Sequence, residues 1–342
     1  MTFIYLLLVL GINILVHEFG HFIFAKKAKI HVYEFSIGMG PRLFKFNRKN
    51  DETIYSVKLF PIGGSVQMAG EGVEEDSNMP REKTLQSKTW IQRFLTIVAG
   101  ALFNYLLAIL IFFVIALFNG SVSNETIVNY VDEAYPAYES GLRVGQKIIK
   151  VDDVKVFSND QFLLELQMRY SKPINLTVID NNETKVITIN PTVDDKGQSK
   201  YGFFAMGEAE SGFIASIKYA FTKTWNLTVQ MVYILKYLFT GKIGMGSLAG
   251  PIGIYTVVDE VSRNGLWDVM YLTAFIAINL GFINLLPIPA FDGGRLVFMW
   301  IELIKGSPVN AKFENMVHAV GFVILMVLSL FVAFNDILRL MS

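Results

Sequence analysis

The chain contains no cysteine, which excludes disulfide staples, thiolate metal sites and a cysteine nucleophile. Any bound metal must therefore be held by histidine and carboxylate. Charge is also scarce, at 18% of residues where soluble domains carry roughly 25%. The 30 Lys and Arg balance the 30 Asp and Glu, which excludes a polybasic nucleic-acid binder and an acidic disordered tail. Neither a long repeat nor a low-complexity tract is present. Apolar residues fill the place of charge: 52% are hydrophobic and 13% aromatic, so much of the chain does not face water.

A membrane span needs about 20 apolar residues. Residues 94–118, 270–288 and 317–334 meet or nearly meet that length without one charge. Residues 3–25 are equally apolar apart from Asn13, His17, Glu18 and His21. Lys26, Lys27 and Lys29 follow this run rather than precede it, so it reads as a retained span and not a cleaved signal peptide. Those lysines mark its cytoplasmic end. Residues 26–93 carry 12 Lys and Arg against eight Asp and Glu, and four spans then place both termini outside the cytoplasm. Three lysines interrupt a fifth stretch, Phe213–Phe239, and an amphipathic helix on the outer surface is expected there.

The expected order is a first span with its histidines (1–30), a small cytoplasmic-face sheet (31–91), a second span (92–120), an outer α+β domain (121–204), a surface helix and linker (211–262), a third span ending near Asp292 (268–294) and a fourth span (315–340). Within the outer domain, Lys147–Val151, 174–179 and 185–189 read as strands and 160–170 as a helix.

The sharpest chemical signal is His17-Glu18-Phe19-Gly20-His21. On a helix, residues at i and i+4 share a face, so both imidazoles can bind one zinc ion, while the adjacent Glu18 can take a proton from a nucleophilic water. Burying this motif in a span costs on the order of 2.5–3.5 kcal/mol for the carboxylate, and intramembrane ionisable residues are functional candidates by default. Two imidazoles leave a catalytic zinc one protein ligand short. Asp292 is the carboxylate near a span that can supply the third. It follows Pro287 and Pro289, which break the helix, and precedes Gly293-Gly294, which permits an abrupt reversal. From His17 to Lys26 is about 13 Å of helix, so the metal and Asp292 share a depth near the cytoplasmic side.

His17–His21 together with Asn279, Asn284-Leu-Leu-Pro-Ile-Pro-Ala-Phe-Asp-Gly-Gly resembles the site-2 protease family of intramembrane zinc metalloproteases, in the regulator-of-sigma group. Residues 55–71, with Pro61-Ile-Gly-Gly-Ser-Val-Gln-Met-Ala-Gly-Glu71, resemble that family's membrane-reentrant β-loop, and residues 134–152 resemble a PDZ core. Leu248–Ile254 is similar to a segment before the third span. Phe291, Arg295 and Ala101 depart from the usual Leu, His and Pro.

The resemblance implies a polytopic α-helical membrane protein of four spans with an inserted extracytoplasmic PDZ-like α+β domain. It implies a Zn²⁺-dependent endopeptidase that cleaves transmembrane segments of single-pass membrane proteins, with His17, His21 and Asp292 as ligands, Glu18 as general base, and Asn279, Asn284, Gly63 and Gly64 near the substrate. A peptide groove is expected between Ile127–Val131 and the helix at 160–168. Gly100 and Asn104 read as close-packing residues and His318 as structural. The alternative from another class is a non-catalytic membrane scaffold that holds partners through its PDZ-like domain.

Overall fold

The computed structural model describes residues 1–49, 51–71, 79–193, 199–244, 246 and 250–341; Leu248 and Ala249 of the segment before the third span lie outside them. In chain order the elements are α1 (Thr2–Lys27), β1 (Val32–Asn47), β2 (Ile54–Met68), α2 (Trp90–Asn119), β3 (Ser121–Val122), β4 (Ile127–Val131), α3 (Pro136–Glu139), β5 (Lys147–Val151), β6 (Val154–Lys155), α4 (Asn159–Met168), β7 (Ile174–Asp180), β8 (Glu183–Ile189), β9 (Thr192–Val193), β10 (Ser199–Lys200), β11 (Phe203–Met206), β12 (Ala209–Glu210), α5 (Phe213–Phe239), α6 (Pro251–Asn264), α7 (Leu266–Leu285), α8 (Asp292–Lys305) and α9 (Ala311–Met341). They divide into two compact units, Met1–Ile111 with Gly244–Ser342, and Phe112–Ile243.

Among the described residues, four helices are long and apolar enough to span a membrane: Thr2–Lys27, Trp90–Asn119, Leu266–Leu285 and Lys312–Leu338. In the first unit, α1 ends on Lys26 and Lys27, whose charge suits the helix C-terminus. Small residues let α2 approach α1 closely: a Cβ on Gly20 would lie 2.4 Å from the Ala99 carbonyl oxygen, and Ala99, Ala101 and Ala108 are fully buried. Asn13 ties α1 to α7 by donating to the Thr273 carbonyl at 3.3 Å. The outer surface of α9 remains apolar and exposed, as at Phe322, Val327 and Leu330, which suits a face turned to lipid.

β1 and β2 are long bent strands that pair more than once. Phe35–Ile37 pairs with Gly64–Val66 and also with Tyr55–Val57, and Phe44–Asn47 pairs with Ile54–Val57. Phe35 and Tyr55 pack on Phe22 of α1 at 4.8 and 6.0 Å between ring centroids. On the opposite face Glu34 is buried, held by Arg42 at 2.6 Å and Lys58 at 3.1 Å.

The second unit is α+β. Its sheet runs β11-β4-β5-β7-β8, with β6 on β5, over a core that includes Val128, Ile148, Phe162, Leu176 and Ile189. The expected strands and helix all form. The groove expectation shifts by one strand: β4 lies between β11, which pairs along it, and β5, which meets it at Ile127, and the outermost strand on that side of the sheet is β11. α5 buries Ser216, Ala220, Thr224, Asn226 and Leu227 and is joined to α4 by Tyr237 donating to the buried Glu165. Its apolar side, including Ile214, Phe221 and Trp225, is exposed.

Two further expectations change. Much of the linker before the third span is helical, as α6, whose first turn is capped by Asp336 accepting from the Gly253 amide at 2.9 Å. Gly293 and Gly294 are not the reversal but the first turn of α8. The chain turns between α7 and α8, where Ala290 adopts φ +81. Gly293 is needed for contact: a Cβ there would sit 2.1 Å from the Leu286 carbonyl oxygen.

Candidate metal centre

One helical turn on α1 sets His17 and His21 side by side, with their Nε2 atoms 3.1 Å apart. The turn that opens α8 delivers Asp292 to the same point: its Oδ2 lies 3.2 Å from His17 Nε2 and 3.3 Å from His21 Nε2. The three atoms form a nearly equilateral triangle, and zinc bonded tetrahedrally at about 2.0–2.1 Å requires ligand atoms about 3.3 Å apart. The residues therefore fit a zinc ion. Orientation agrees: His21 Nδ1 donates to the Thr96 carbonyl oxygen at 2.8 Å, which leaves Nε2 as a lone-pair donor. Asp292 Oδ2 is buried without a hydrogen bond to the protein, as expected of an atom reserved for a cation. Among the described residues this trio is the metal-binding cluster of His and carboxylate groups.

α2 supplies the back wall. A Cβ on Gly100 would fall 2.3 Å from His21 Nε2 and 2.8 Å from His17 Nε2. Gly100 was expected to serve close packing, and what packs against it is the ligand pair itself. The α7–α8 turn is braced by α9: the Ala290 amide donates to His318 Nδ1 at 3.0 Å, and a Cβ on Gly321 would meet Pro289 at 2.5 Å.

Glu18 lies beside the trio and accepts from the Val66 amide of β2 at 3.1 Å. Both face a cavity of about 890 Å³ shared with His17, His21 and Asp292. Farther along its wall, Arg295 pairs with Glu71 and Arg93 with Glu302 at 2.7 Å. The structure does not bring every expected residue to this cavity. Asn279 spends its amide on the Phe275 carbonyl of its own helix at 2.8 Å, and neither it nor Asn284 lines the cavity. Gly63 and Gly64 are packing positions: a Cβ would meet Ile14 at 2.6 Å in the first case and the Ser36 carbonyl oxygen at 2.6 Å in the second. Conversely, Glu71, Arg295, Glu314 and His318 line the cavity and were not singled out as site residues. The available signal was the Glu314–His318 spacing of four at the start of an apolar run.

A cysteine-free histidine and carboxylate trio with a neighbouring glutamate, set in a bundle of spans, defines a membrane metallopeptidase. Comparison with known proteins agrees. The model of peptidase family M50 matches residues 5–328, and the chain belongs to that family, the site-2 proteases, as a zinc metalloprotease. It is 35% identical over 340 residues to a Clostridium perfringens protein described as a zinc metalloprotease, covering 99% of each chain. It is 30% identical to the regulator of sigma-W protease RasP of Bacillus subtilis and to the zinc metalloprotease RasP of Bacillus licheniformis, again over 99% of each chain. The solved PDZ domain of the SdrC-like protein from Listeria monocytogenes is similar over 25% of this chain and 90% of that one, at 18% identity and a TM-score of 0.22.

Proposed function

We propose that the protein cleaves peptide bonds within the transmembrane segments of single-pass membrane proteins. The observation that carries this reading is the 3.1–3.3 Å triangle of His17, His21 and Asp292, built into a span and flanked by Glu18. His17, His21 and Asp292 would hold the zinc ion, which when bound would supply Lewis acidity and increase the acidity of a nearby water. Glu18 accepts a proton from that water and returns it to the leaving amine. Its bond to the Val66 amide holds the carboxylate between the metal ligands and β2.

A helical substrate hides its carbonyls in i to i−4 hydrogen bonds, so it must unwind before attack. The Gly64–Met68 part of β2 is paired with β1 on one side, and an unwound segment adds to its other side as a strand. Under the positive-inside rule the Lys26 end of α1 is cytoplasmic, with both termini and the inserted domain outside. The apolar side of α5 then rests on the outer membrane surface. The inserted domain acts as a PDZ-like module that restricts substrates with bulky ectodomains. The Bacillus subtilis relative is named for regulation of sigma-W, and membrane-anchored regulators of transcription are the corresponding substrate class for this chain.

The test is to map the scissile bond. Purified protein given a single-span reporter should cut it inside the apolar segment, at a position found by mass spectrometry of the products. Cleavage confined to the water-soluble flanks would refute intramembrane action.

A further inference from the structure

The zinc cavity holds more acid than base. Glu71 is matched by Arg295 and Glu302 by Arg93, while Glu18 and Asp292 together balance the charge of one Zn²⁺. His318 accepts the Ala290 amide at Nδ1, so its proton sits on Nε2 and the ring is neutral. One acidic side chain of the cavity is left over, that of Glu314. Its carboxylate makes no ion pair or hydrogen bond among the described residues, and Arg295 and Arg93 act on it only through space because each is held by another carboxylate. A first-turn glutamate favours the start of a helix wherever it points, but that role does not require the active-site cavity.

We propose that Glu314 is a specificity residue that receives a Lys or Arg side chain from the substrate. This rests on the reading of the cavity as the proteolytic site and of the Lys26 end of α1 as cytoplasmic. A single-span substrate entering the same bilayer carries its own Lys and Arg at that end. When its span unwinds along β2, the basic flank reaches the depth of α9's first turn. There an unmatched, half-buried carboxylate attracts a cation more strongly than an exposed one does. Glu314 thereby sets which end of the substrate span is drawn toward the zinc.

The experiment uses the full-length zinc-loaded protein and paired single-span reporters that differ only in the cytoplasmic flank, Lys, Gln or Glu. The unaltered protein should favour the Lys reporter over the Gln reporter by about fivefold in kcat/KM, expressed in KM. Glu314→Gln should bind the same zinc and lose the preference, and Glu314→Lys should favour the Glu reporter. Retention of the Lys preference by Glu314→Gln, or equal cutting of all three reporters by the unaltered protein, overturns the assignment while leaving the proteolytic site in place. If the unaltered protein cuts none of them, the proteolytic reading falls and this one with it.

Discussion

Gly100→Ala is a small change with a large expected effect, because the new methyl group would point at the two ligand nitrogens. It would lie 2.3 Å from His21 Nε2, 2.7 Å from His17 Cε1 and 2.8 Å from His17 Nε2, against ordinary contact from 3.4 Å. Relief of the closest contact requires a movement of 3.4 − 2.3 = 1.1 Å. Metal sites tolerate departures of about 0.2 Å from ideal ligand distances, so the triangle cannot be kept. His21 has little freedom to yield, since Nδ1 is fixed on the Thr96 carbonyl. Helix propensity acts the other way, favouring Ala over Gly by about 1 kcal/mol, so the span itself should form at least as well. We expect zinc affinity to fall by about 10- to 100-fold, comparable to the loss of a ligand-orienting group, and cleavage to fall by at least as much. Competition with a chromogenic chelator measures the first, and a reporter assay at saturating zinc separates it from the second. Unchanged zinc affinity with unchanged cleavage in a folded Gly100→Ala protein would refute the packing argument.

Purified protein should hold about one zinc per chain, and His17→Ala, His21→Ala and Asp292→Ala should each lower that content; unchanged content in all three would remove the ligand assignment. Burial pushes the Glu34 carboxyl up, but bonds from Arg42, Ser56 and Lys58 outweigh it and hold the group at about 2. Its folded value lies below its ordinary one, so its contribution is complete above pH 4.5 and is lost as pH falls toward 2. Glu34→Leu, which takes the carboxylate from the largely buried Lys58, should weaken the β1–β2 sheet by about 3 kcal/mol at neutral pH. Proteolysis within residues 32–68 measures that loss, and the variant should show less acid dependence than the parent. For topology, a single cysteine at Asn181 should react with an impermeant thiol reagent in intact cells and one at Asn47 only after lysis, with the reverse pattern overturning the orientation. Deletion of residues 127–191 should leave zinc binding intact and admit substrates with untrimmed ectodomains; loss of cleavage of short substrates instead would make the domain a docking site.

The spans are legible because three are charge-free apolar runs and the first is broken only by Asn13, His17, Glu18 and His21, and α5 is separable from them because Lys218, Lys223 and Lys236 recur along it. The His17–His21 pair was legible because ligand geometry is encoded within one helical turn. Asp292 required an argument from depth, and α8 does place it at the triangle. What escaped depends on contacts between distant residues. Arg295 meets Glu71 across 224 positions, and no local pattern announces it. β11 is four residues long, too short for alternation to declare itself, so the sequence points the groove to the neighbouring strand at Ile127–Val131. Gly293-Gly294 reads as a turn in sequence because glycine serves both turns and close contacts, and only the packed structure, with Leu286 against Gly293, distinguishes them. Pro251 at the first turn of α6 is a start signal for that helix.

Glu18 separates an enzyme from a membrane scaffold built on the same ligands. Glu18→Gln keeps the size of the side chain and its capacity to bond near Val66, but cannot carry a proton. The protein should stay folded and hold about one zinc per chain. It should retain a single-span reporter on copurification, and its cleavage rate should drop by about 10²–10⁴-fold. Wild-type cleavage by a folded, zinc-loaded Glu18→Gln protein would contradict the account.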